Sequence, residues 1–85
     1  MYSLVYIYLV VTSNLRNRLR ERRKAAGGMT QQELADRAGV TRQSIISIER
    51  GRYRPSVELA LRLGRVLGVA VEDLFELVDD EEKRR

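Results

Sequence analysis

A chain of 85 residues leaves room for one domain, since a single core typically takes roughly 100 to 150 residues. It contains no Cys and no His, which excludes disulfide stapling, zinc fingers, Cys or His nucleophiles and imidazole proton relays. Lys and Arg number 16 against 12 Asp and Glu, a net charge of +4, so an anionic partner is the first to consider. That charge is unevenly placed: residues 1–55 hold 11 basic and 4 acidic side chains, net +7, and residues 56–85 hold 5 and 8, net −3. The basic surface therefore belongs to the first two thirds of the chain.

The first eleven residues, MYSLVYIYLVV, carry no charge and have strand composition, rich in Tyr and β-branched side chains. They are too few for a membrane span, which takes about 20 apolar residues, and lack the cationic start of a secretory signal. Residues 1–12 are expected to be an apolar extension: a β-strand or clip that packs on the domain or pairs with its copy in a dimer, or a dispensable leader.

From Ser13 the pattern turns helical. Ser13 or Asn14 is placed to cap a first helix running to about Ala26, with Leu15, Leu19 and Ala26 on one face. Gly27-Gly28 ends it, and Thr30-Gln31-Gln32-Glu33 is a capping box opening a second helix to Ala38. Gly39-Val40 makes a turn, Thr41 caps a third helix to about Arg50, and Gly51 stops it. In that third helix Ile45 and Ile48 face inward, leaving Arg42, Gln43, Ser44, Ile46, Ser47 and Arg50 wholly or partly outward. Pro55-Ser56 starts a fourth helix to Leu67, Val71 to Leu77 reads as a short fifth, and the all-charged tail from residue 79 is expected to fray. Two short helices joined by a Gly turn outline a helix-turn-helix, a unit that also occurs as a plain helical hairpin without DNA binding.

The stretch Met29 to Gly51, MTQQELADRAGVTRQSIISIERG, followed by Arg-Tyr-Arg-Pro-Ser56, resembles the Cro/C1-type helix-turn-helix of the xenobiotic response element family of transcriptional regulators. Leu61 to Phe75 is similar to that family's fourth and fifth helices. The resemblance implies an all-α, compact five-helix lambda-repressor-like DNA-binding domain over residues 13–78, to which the apolar N-terminal segment is an addition. It also implies site residues. Gln31 matches the position that holds a backbone phosphate, and Arg42, Gln43 and Ser47 match positions that reach base edges. Arg can bind guanine through O6 and N7, and Gln adenine through N6 and N7. Ile46 is placed either to meet a thymine methyl or simply to face solvent. Thr41 and Ser44 at the start of the third helix, with Arg52, Tyr53 and Arg54 in the loop after it, fall where the family contacts phosphates.

Glu49 follows the inward Ile48, and a buried carboxylate needs a cation. Counting back across the unusual Gly27-Gly28 pair points to Lys24, whereas helix register from Leu19 points to Arg23. A loop absorbs an extra Gly more readily than a helix changes face, so the expected ion pair is Arg23 with Glu49. In the fourth helix Val57, Ala60, Leu63, Gly64 and Leu67 supply a buried face, leaving Leu59 and Val66 as a second apolar stripe expected to be covered by the N-terminal segment or another subunit. Ala70 offers no side-chain cap to the fifth helix.

These readings imply a sequence-specific transcriptional regulator of the cytoplasm, bound to double-stranded DNA as a homodimer on an inverted repeat, with no cofactor, metal, membrane or small-molecule ligand. The acidic residues fall in caps, outer helix faces and the tail, which gives no catalytic constellation. A rival expectation is an antitoxin-like module that binds a partner protein and autoregulates through DNA.

Overall fold

The computed structural model describes residues 15–78. The expectations for the extension over residues 1–12, the Ser13 or Asn14 cap and the tail over residues 79–85 lie outside the described residues. In chain order the elements are strand β1 (Leu15–Asn17), helices α1 (Leu19–Ala25), α2 (Gln31–Ala38), α3 (Arg42–Glu49), α4 (Val57–Leu67) and α5 (Val71–Leu74), and strand β2 (Phe75–Leu77). The fold is all-α: five helices enclose one core, and a two-stranded antiparallel ribbon joins the first and last elements.

Local chemistry explains the two central helices. Thr30 Oγ1 accepts from Glu33 N at 3.0 Å, and Glu33 Oε1 accepts in return from Thr30 N at 2.8 Å. These bonds satisfy donors that an opening helix turn cannot pair internally, and such a cap contributes about 1 kcal/mol. Gly39 ends α2 with φ of 76°, a left-handed conformation that a side chain disfavours. Thr41 Oγ1 then accepts from Ser44 N at 3.1 Å and starts α3. Leu34, Ala35 and Ala38 of α2 pack with Ile45 and Ile48 of α3, Leu19 of α1, Met29, Leu59 and Leu63 of α4, and Leu74 of α5.

The ends of the domain differ from the local pattern. Leu15 is not on a helix face: β1 pairs with β2 in the register Leu15–Leu77, Arg16–Glu76 and Asn17–Phe75. Helix α1 consequently starts at Leu19, with Asn17 Oδ1 accepting from Leu19 N at 2.8 Å. At the other end α5 stops at Leu74, because Phe75 turns extended to pair with Asn17. The opening of α5 has half a box: Asp73 Oδ2 accepts from Ala70 N at 3.2 Å, and Ala70 returns nothing.

In α4 the expected division of apolar residues is corrected. Leu59 is 8% exposed and belongs to the core, whereas Val57 is 78% exposed. At 100° per residue Leu59, Leu63, Leu67, Ala60 and Gly64 fall within an arc of about 140°, and Val57 lies just beyond its edge. Val66 is half-buried and packs on the core. Gly64 admits the chain closely: a Cβ there would meet the Val69 carbonyl oxygen at 2.8 Å. The large apolar side chains left outside are Val57, Leu61 and Leu77, with Leu15 and Tyr53 partly so.

Candidate nucleic-acid interface

The position of α3 is set by charge as well as by apolar contact. Arg23 of α1 donates from Nε to Glu49 Oε2 at 2.7 Å and from Nη2 to Oε1 at 3.2 Å, and its Nη1 donates to the Met29 carbonyl at 2.7 Å. Gln31 Nε2 gives Glu49 Oε1 a further hydrogen bond at 3.1 Å. One carboxylate at the end of α3 thus ties together α1 and the start of α2. Lys24 takes no part in it.

With Ile45 and Ile48 turned inward, α3 presents Arg42 and Gln43 exposed and Ile46 and Ser47 half-exposed. Two grooves flank this face. Gln43 and Ser47 line one together with Thr41, Ser44 and Tyr53, a shallow space of about 330 Å³. That groove brings two of the expected base-reading residues beside three of the expected phosphate-binding ones. Thr41 and Ser44 are already engaged with each other, their hydroxyl oxygens 3.0 Å apart. Such a contact uses one hydroxyl proton, leaving the second able to donate to an anion.

The other groove, about 510 Å³, runs between the end of α1, the start of α2 and α3, and holds Ile46 and Gln31. Gln31 stands at the first position of α2, where free backbone N–H groups and the helix dipole favour an anion. One of its amide protons goes to Glu49, and an amide has a second to give. Arg20, Lys24 and Arg50 also line this groove. Sequence reasoning gave these three no site role; a cation every four residues on α1, Arg20 to Lys24, is the signal that was available.

Arg52 and Arg54 are exposed in the loop after α3. Arg54 and Tyr53 lie beside the inner face of the ribbon, in a small groove with Leu15, Asn17 and Phe75. The carboxylates of the ribbon and α5 neutralise other cations: Glu76 pairs with Arg16 at 3.3 Å and Arg18 at 3.0 Å, and Asp73 with Arg22 at 4.0 Å. Among the described residues no carboxylate lies within ion-pair distance of Arg20, Lys24, Arg42, Arg50, Arg52 or Arg54. Of these, Arg42 and Arg50 stand at the two ends of α3, and Arg20 and Lys24 line the groove beside it; Arg37 on α2 and Arg65 on α4 are likewise outside any ion pair among the described residues. No helix among the described residues is long and apolar enough to cross a membrane.

The helix-turn-helix family model matches residues 19–74. The chain belongs to the Cro/C1-type helix-turn-helix family of transcriptional regulators. An HTH-type transcriptional regulator of Methanothermobacter thermautotrophicus is 53% identical over 70 residues, covering 81% of this chain and all of that one. Among solved structures, the restriction-modification controller protein C.AhdI from Aeromonas hydrophila superimposes with a TM-score of 0.62 at 34% identity, over 66% of this chain and 83% of that one. The SinR protein, solved as a SinR–SinI complex, gives 0.62 at 32% identity, over 80% of this chain and 63% of that one. In this helix-turn-helix domain α2 and α3 are the paired helices, and α3 occupies the place of the second.

Proposed function

We propose that this Cro/C1-type protein is a sequence-specific DNA-binding transcriptional regulator that reads an inverted repeat as a homodimer, with α3 in the major groove. The observation that carries this reading is the outward face of α3: Arg42, Gln43 and Ser47 project from a helix locked by a buried ion pair, with Arg20, Lys24, Arg50 and Arg52 around it in no ion pair among the described residues. Arg42 and Gln43 supply bidentate donors and acceptors for base edges, Ser47 a hydroxyl, and Ile46 an apolar contact for a thymine methyl. Thr41, Ser44, Arg52, Tyr53 and Arg54 bind phosphates on one side, and Gln31 with Arg20, Lys24 and Arg50 on the other. The protein acts in the cytoplasm, on the nucleoid. It is a regulator and not an enzyme.

A dimer on an inverted repeat needs a self-complementary surface. Burial of Leu59 in the core removes it from that surface, and Val66 faces the core in part. Val57 and Leu61, four residues apart on α4 and both exposed, replace them as the proposed dimer face. The same two residues favour a second reading, in which a partner protein docks there; the SinR–SinI complex among the structural neighbours makes this the rival to keep.

Selection of binding sites from random duplexes, followed by measurement of complex stoichiometry, tests the reading. The expected result is an enriched motif with two inverted half-sites about one helical turn, roughly 34 Å, apart and two chains per duplex. Absence of any enriched motif would remove specific reading. One chain per site would remove the homodimer and leave the partner-protein reading in its place.

A further inference from the structure

We propose that Asn17 is a positioning residue for DNA reading, one that holds the backbone of α3 in register with the rest of the domain; the proposal rests on the reading of α3 given above. Asn17 ends β1, sits opposite Phe75 in the ribbon and is half-buried. Its side chain works at both ends. Oδ1 accepts from Leu19 N at 2.8 Å and opens α1, while Nδ2 donates to the Ile48 carbonyl in the last turn of α3. That carbonyl also accepts from Gly51 N at 2.9 Å, and its two lone pairs accommodate both donors.

The two demands are opposite in kind, an acceptor for Leu19 and a donor for Ile48. Asn meets both at this reach. Asp keeps the acceptor and loses the donor, Ser caps a helix as well but is one atom shorter, and Leu supplies neither. Asn is also a poor strand residue, so formation of β1 does not account for it. A capping role alone would be met equally by Ser or Asp.

Arg23 restrains α3 through the rotatable side chain of Glu49. Asn17 instead holds a backbone atom, with no torsion of an α3 side chain between the bond and the helix. Its own position is fixed by the ribbon and by Arg18 N donating to the Leu74 carbonyl at 2.8 Å. A rotation of α3 by about 10° would move a side-chain tip at the helix surface by about 1 Å, given a radius of roughly 5 to 6 Å with side chains. Base-edge hydrogen bonds do not tolerate that displacement. Long Arg and Lys side chains reaching phosphates do. Loosening this tie therefore falls on discrimination between sequences and spares sequence-independent binding.

The test compares affinity for a selected target duplex and a scrambled duplex, at one salt concentration and well below the unfolding midpoint. Asn17→Ser keeps a side-chain acceptor within reach of Leu19 N, as Ser forms the same local turn, and adds no charge. Ser56→Ala removes the Oγ that accepts from Leu59 N at 3.1 Å and opens α4, a destabilising change that leaves every hydrogen bond of α3 in place. We expect Asn17→Ser to lower the target-to-scrambled ratio by about tenfold with scrambled binding held within about twofold, and Ser56→Ala to lower the melting midpoint with the ratio intact. Asn17→Asp should lose the ratio likewise. Equal ratios in Asn17→Ser and Ser56→Ala would overturn the proposal, as would an unfolded Asn17→Ser, since either assigns Asn17 to stability alone. Failure of the unaltered protein to distinguish the two duplexes would instead overturn the DNA reading itself.

Discussion

Arg23 and Glu49, 26 residues apart, meet through two hydrogen bonds with their side chains 8% and 4% exposed. Removal of one member of a buried pair leaves the other charge uncompensated, which typically destabilises by about 3 to 5 kcal/mol. Arg23→Ala also orphans the Met29 carbonyl. Lys24, one residue on, is exposed and in no ion pair among the described residues, so Lys24→Ala should stay within about 0.5 kcal/mol. Denaturant unfolding of the two variants decides between them, and equal midpoints would contradict the assignment.

The centre of the fold was legible because its signals are local. Thr30 and Glu33 lie within one helical turn, Gly39 carries its own turn, and the spacing of Ile45 and Ile48 shows which face of α3 is buried. Choosing Arg23 over Lys24 needed only helix register. The ends were not legible, because the pairing of Leu15 with Leu77 joins residues at opposite ends of the domain. Leu15 and Leu19 are four apart, which suits a helix as well as a strand followed by a helix. Gln31 was placed correctly at the start of α2, but its bond to Glu49 depends on how three helices meet and has no local signature. For α4 the apolar residues spread around more than half the helix, so periodicity alone left Leu59 and Val57 interchangeable.

That exchange has a measurable consequence. Leu59→Ala should destabilise the domain by about 2 to 5 kcal/mol, as expected for a buried Leu. Val57→Asp and Leu61→Asp, on exposed positions, should leave the melting midpoint of the monomer little changed and convert the proposed dimer to monomer in sedimentation. Persistence of the dimer in both Asp variants would rule out this face.

The groove between α1 and α2 makes its own prediction about salt. Each phosphate contact removed lowers the slope of log affinity against log salt by about 0.9. Arg20→Ala, Lys24→Ala and Arg50→Ala should each weaken target and scrambled duplexes alike and flatten that slope by about one unit. Titrations at several salt concentrations, with slopes matching the unaltered protein, would show that phosphates bypass this groove.

The capping box gives the fold an acid sensitivity. The Thr30 backbone N–H and hydroxyl, with Arg37 nearby, hold the Glu33 carboxyl below its ordinary value of 4.5. A carboxyl lowered in the folded state contributes stability that is present above 4.5 and is lost as pH falls through the folded value. Glu33→Gln can still accept from Thr30 N but does not titrate. Its melting midpoint should therefore fall less steeply than that of the unaltered protein as pH drops below 4.5. Parallel curves would show that Glu33 carries none of the acid loss.

The account rests most heavily on α3 reading bases while the loop after it holds the backbone, and the most direct measurement separates the two. Affinities of Gln43→Ala and Arg52→Ala are determined on the selected target and on scrambled DNA over a range of salt. Gln43→Ala should lose about 1 to 3 kcal/mol of discrimination with its salt slope intact, and Arg52→Ala should weaken both complexes alike and flatten the slope by about one unit. Undiminished discrimination in Gln43→Ala would contradict the assignment of base reading to this face of α3.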